Sequence, residues 1–68
     1  MTYLEIGGGY KFALDSIGAT LVNPEGRSVY FQFGDEIEEI LETVNALENV
    51  PADKLAAIAE ALLGDYFA

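Results

Sequence analysis

Apolar and polar residues alternate with a period of two along the first 33 residues, and the period lengthens to 3.6 after Gly34. The first part therefore predicts strands. In residues 10–15, Tyr10, Phe12 and Leu14 share one face, and Lys11, Ala13 and Asp15 share the other. Residues 27–33 give the clearest strand, with Val29, Phe31 and Phe33 inward and Ser28, Tyr30 and Gln32 outward. Residues 2–6 and 19–22 are shorter candidates. Gly7-Gly8-Gly9, Ser16-Ile17-Gly18 and Asn23-Pro24-Glu25-Gly26 punctuate the runs, the last combining a fixed proline φ with a glycine free to take φ > 0. The last three strands read as an antiparallel meander, and the place of residues 2–6 beside them is left open.

Beyond Gly34 the spacing predicts a helix over 35–49, with Ile37, Ile40, Leu41, Val44 and Leu47 as its apolar stripe. Asp35-Glu36-Ile37-Glu38 resembles a capping box and puts negative charge where the helix dipole favours it. Pro51 suits the first position of a second helix. There Leu55, Ile58, Ala59 and Leu62 are expected to face inward, Gly64 to stop the helix, and Tyr66 and Phe67 to fold back on the core. The expected class is α+β: a small antiparallel sheet of three to four strands followed by a two-helix hairpin packed on one face. Residues 1–68 form a single domain, with the sheet in 1–33 and the hairpin in 35–67.

Phe12, Phe31 and Phe33 are expected in the core, joined by Tyr10, while Tyr3 and Tyr30 fall on the open side of the sheet. At 51% hydrophobic residues the chain is too apolar to stay disordered. The longest helical apolar stretch, 55–63, carries Glu60 and is too short to span a membrane. The first residues lack the basic region and apolar core of a signal peptide, and cysteine is absent, so a cytoplasmic location is expected.

Histidine is absent as well, which removes the Ser-His and Cys-His nucleophiles, and the carboxylates fall on a solvated helix face rather than in a desolvating pocket. The three consecutive glycines lack the spacing of a phosphate loop. No Asp-x-Asp-x-Asp-Gly loop is present to wrap calcium. An enzyme is not expected, and neither is a cofactor or a dedicated metal site.

Charge changes the picture most. The net charge is −9, with twelve acidic residues against three basic ones. Such a chain does not bind DNA or RNA directly, which takes clustered Lys and Arg, but it suits a partner with a positive groove. No basic residue lies between Arg27 and Lys54, and Asp35, Glu38, Glu39 and Glu42 fall at helical spacing on one side of the first helix. Like charges at i,i+4 repel, so the stripe opposes folding. A solvated helix face and adaptation to high salt are the plain explanations. The sharper one comes from spacing. Asp35, Glu36, Glu38, Glu39, Glu42 and Glu48 occupy about 19.5 Å of helix, or one charge per roughly 3.3 Å. One strand of B-DNA carries a phosphate every ~3.4 Å.

In size, acidity, freedom from Cys and His, and sheet-plus-helix pattern, the chain resembles the small phage-encoded anti-CRISPR proteins, in particular the acidic ones that keep DNA off type I Cascade complexes. The resemblance is one of character over the whole chain and rests on no signature motif. It implies stoichiometric inhibition of a DNA-binding channel in the bacterial cytoplasm. The expected partner is the positively charged groove of a DNA-binding protein or CRISPR effector complex. The six carboxylates are the candidate contacts and the chain is expected to be a monomer. The alternatives are a small acidic assembly module that forms oligomers, and another DNA mimic such as an antirestriction protein.

Overall fold

In the computed structural model, which describes residues 3–68, four strands and two helices follow one another without interruption. Strands β1 (Leu4–Gly7), β2 (Tyr10–Leu14), β3 (Gly18–Val22) and β4 (Ser28–Gln32) form an antiparallel sheet in sequence order. Helices α1 (Asp35–Leu47) and α2 (Ala52–Leu63) then pack on one face, and a 3-10 turn, Gly64–Phe67, closes the chain. The class is α+β. The first strand, left open by the sequence, pairs with β2, with Leu4 opposite Phe12 and a register shift between Glu5 and Gly7. Residue 2, the start of its predicted span, lies outside the described residues.

Local chemistry sets each turn. Gly8 and Gly9 both take positive φ, as a two-residue hairpin turn that follows the strand twist requires. A Cβ on Gly8 would also sit 2.9 Å from the Ala56 Cα of α2. The β2–β3 turn is closed by Asp15, whose Oδ1 accepts from the Ile17 and Gly18 amides at 2.8 Å each. Asn23 does the same for the next turn, accepting from the amides of Glu25 at 3.0 Å and Arg27 at 2.8 Å. Asn23 is the buried polar residue of the core margin, and these two bonds satisfy its carbonyl oxygen.

One core joins sheet and hairpin. Ile6, Tyr10, Phe12, Ala19 and Leu21 meet Ile37, Ile40, Val44 and Leu47 of α1, Ala59 and Leu63 of α2, and Phe67. The apolar stripe expected on α1 is the one observed, with Leu41 at its margin. Phe67 stands 6.1 Å from Tyr10 by ring centroids, and Tyr66 meets Phe31 edge-on at 5.4 Å.

Several expectations fail, each for a physical reason. Leu14 and Phe33 share the inward parity of their strands yet are 51% and 57% exposed. Alternation assigns a face but not what covers it: Phe33 lies one residue past the end of β4, and Leu14, level with Phe31 through Ala19, lies beyond the part of β2 that β1 pairs. In α2, Leu62 is 47% exposed and Leu63 is fully buried. The 3-10 turn folds Phe67 onto Tyr10 at that end, so the buried face follows Ala59 and Leu63. Gly64 does stop α2, as its C-cap, but at φ −59° rather than in the left-handed region, and the chain tightens into the 3-10 turn that carries the aromatic pair inward. The capping box does not form either. Gly34 is the N-cap and no side chain caps α1. Pro51 stands one residue before its expected place, as the N-cap of α2 with ψ 142°.

Candidate partner-binding surface

All six candidate carboxylates are exposed, but α1 does not hold them on one line. Successive helical residues turn by about 100°. Asp35, Glu38, Glu39 and Glu42 therefore face away from the buried Ile37, Ile40, Val44 and Leu47. Glu36 projects from the flank. It and Glu39 lie near Tyr66, whose phenol is held above its ordinary 10.0 first by burial and then by the charges of Glu39 and Glu36. Glu48 is the C-cap, outside the helix proper, and borders a cleft shared with Leu4, Glu5, Leu47 and Leu55. The structure thus brings together four of the six, with Glu36 beside them and Glu48 apart.

The separation redraws the array. From Asp35 to Glu42 the axis rises about 10.5 Å, in steps of about 4.5, 1.5 and 4.5 Å between the four charges, a mean of roughly 3.5 Å. Counted as charges over length, the four give one per roughly 2.6 Å, denser than the roughly 3.3 Å expected for six, and the length is about half. Asp35, Glu36 and Glu38 occupy the first turn, where the dipole favours them. Past Glu42 the solvent side of α1 is neutral, with Thr43, Asn45 and Ala46.

An apolar rim adjoins the acidic end. The Phe33 amide donates to the Ile17 carbonyl at 3.2 Å, which sets the β2–β3 turn beside the end of β4. Ile17 is 63% exposed and lies with Leu14 and Phe33 at this end of the sheet, directly before Gly34 and Asp35. An open groove lined by Tyr30, Gln32, Phe33, Gly34, Asp35 and Glu36 runs from the edge of β4 to the start of α1. Sequence reasoning placed Phe33 in the core and so missed this rim. Its signal was available: Phe33 stands next to Gly34, where the strand period ends.

Among the described residues no three His, Cys, Asp or Glu side chains gather closely enough to hold a metal ion. Asp15 accepts from the Tyr30 hydroxyl at 3.1 and 3.3 Å, an exposed pair that secures the turn. Among the described residues no helix is long and apolar enough to cross a membrane. No family model, curated protein or solved structure matches the chain.

Proposed function

We propose that the chain is a non-enzymatic inhibitor whose α1 face takes the place of a nucleic-acid strand in the Lys/Arg-lined groove of a bacterial defence complex, with type I CRISPR Cascade as the foremost target. The observation that carries this reading is the exposed row Asp35, Glu38, Glu39 and Glu42, whose mean axial step is near the phosphate step of one DNA strand, on a helix without a basic residue. Opposite charge on the groove would relieve the repulsion within the row and steer association. The rim of Leu14, Ile17 and Phe33 fits a protein partner, because aromatic and aliphatic anchors supply contact energy that charge alone does not.

Binding of target duplex to purified, guide-loaded Cascade is the test, read as a gel shift with increasing amounts of the chain. Wild type should displace the duplex at about one chain per groove. Glu38→Lys with Glu39→Lys and Glu42→Lys should lose that activity while keeping its circular dichroism spectrum. Undiminished inhibition by the folded triple variant would refute the charge-mimic reading.

A further inference from the structure

The two edges of the sheet are built differently. β1 is four residues long, carries Glu5, shifts register before Gly7 and ends on a residue at φ 112°. Short length, charge and a bulge are the devices that keep an edge strand from pairing with another chain. β4 has none of them. Ser28 to Phe33 contains no charge and no proline, and β4 pairs with β3 in unbroken register from Ser28–Val22 to Gln32–Gly18.

The direction of its free hydrogen-bonding groups follows from the ladder. The Phe33 amide donates to Ile17, and the Asn23 amide donates to Arg27. Hydrogen-bonded and non-hydrogen-bonded pairs alternate in an antiparallel ladder, so Arg27, Val29, Phe31 and Phe33 turn their backbone groups to β3. Ser28, Tyr30 and Gln32 turn theirs outward. The Tyr30 ring does not obstruct that edge: its hydroxyl reaches back to Asp15 and over Gly18.

We infer that the free edge of β4 pairs with β4 of a second copy, antiparallel about a two-fold axis at Tyr30. Tyr30 then meets its own counterpart and Ser28 meets Gln32 in both directions. All three outward residues of each copy give and accept backbone hydrogen bonds, which no other two-fold register achieves. Charge complementarity selects a second copy as the occupant. The same register sets Arg27, the one basic residue between Lys11 and Lys54, opposite Phe33 of the other copy and next to the Asp35 and Glu36 that follow it. Directly opposed residues share a face of the sheet, so the contact is made twice per dimer. The uncharged span keeps like charges off the seam, and Glu25 lies in the turn closed by Asn23, off the strand. This pairing is at odds with the expected monomer and does not rest on the inhibitor reading, although it shares Phe33 and Asp35 with the surface that reading uses.

Sedimentation velocity and amide hydrogen exchange on the purified chain test it. The mass should double as concentration rises to millimolar, with protection appearing at the Ser28, Tyr30 and Gln32 amides over the same range. Gln32→Pro removes an outward amide without touching the β3 ladder, and Ser28→Lys with Gln32→Lys sets lysines opposite one another across the seam. Both should remain monomeric. Arg27→Glu should weaken the dimer at least tenfold, and adding Asp35→Lys and Glu36→Lys should restore it. A wild-type chain that stays monomeric at millimolar concentration overturns the inference. So does a dimer in which the three amides stay unprotected, a readout that needs no variant to fold.

Discussion

At Asp15 one half-buried carboxylate closes the β2–β3 turn and ties it to Tyr30 of β4, two strands away in the sheet. The Ile17 amide does most to hold its carboxyl below the ordinary 3.8; desolvation opposes this, and the Gly18 amide and Tyr30 hydroxyl add to it. A carboxyl lowered in the folded state stabilises the fold above its unfolded value, and that contribution is lost as pH falls through the folded one. Asp15→Ala should therefore melt below wild type at neutral pH. The gap should close as pH drops beneath 3.8, because there wild type loses the same interactions by protonation. A gap that stays constant from neutral to strongly acidic pH would mean that the turn does not depend on the ionised group. Ser16-Ile17-Gly18 made this turn readable in the sequence, with Asp15 assigned to the strand before it. Its bond to Tyr30 was not, because it joins residues fifteen apart through strand pairing.

Elements were more legible than their ends. The two periods separated sheet from helices at Gly34, and the stripe Ile37, Ile40, Leu41, Val44 and Leu47 oriented α1 correctly, since burial of that stripe outweighs any local preference. Four carboxylates of the candidate site followed from the same periodicity. Glu36 and Glu48 did not, because proximity along the chain is not proximity on a helix face. Ends depend on what neighbouring elements cover: hence Phe33, Leu14 and Leu62 in solvent, and Gly34 rather than Asp35 at the N-cap. That cap offers an improvement. Gly34 has φ 163°, an extended backbone that any residue adopts, and an added Cβ would meet only the Gln32 carbonyl oxygen at 3.9 Å. Gly34→Ser should supply the missing cap and reduce unfolded-state freedom, adding about 0.5 kcal/mol. For a chain of this size that corresponds to about 2–4 °C in Tm, readable by calorimetry. A fall in Tm would show that the glycine is needed where it stands.

Over the whole molecule, the surplus of negative charge sets the solution behaviour. A net charge of −9 resides on a body whose Cα radius of gyration is 11.2 Å, so most of its carboxylates lie within about two Debye lengths of one another at ~0.1 M salt. Self-repulsion of this kind destabilises the compact state, and added salt relieves it. The Tm should rise steadily with sodium chloride from low to molar concentration. Glu38→Lys with Glu39→Lys and Glu42→Lys moves the net charge by two per exchange, from −9 to −3. That variant should start from a higher Tm at low salt and gain less as salt is added, so that the two curves converge. Excluded salts such as sulfate also strengthen apolar burial, but they act on both chains alike and leave the difference intact. Parallel curves would locate the strain outside α1. Convergence would tie it to the acidic row, and a basic groove that neutralised the row would then relieve the strain as salt does, while the complex itself, held by opposite charges, would loosen over the same range of salt.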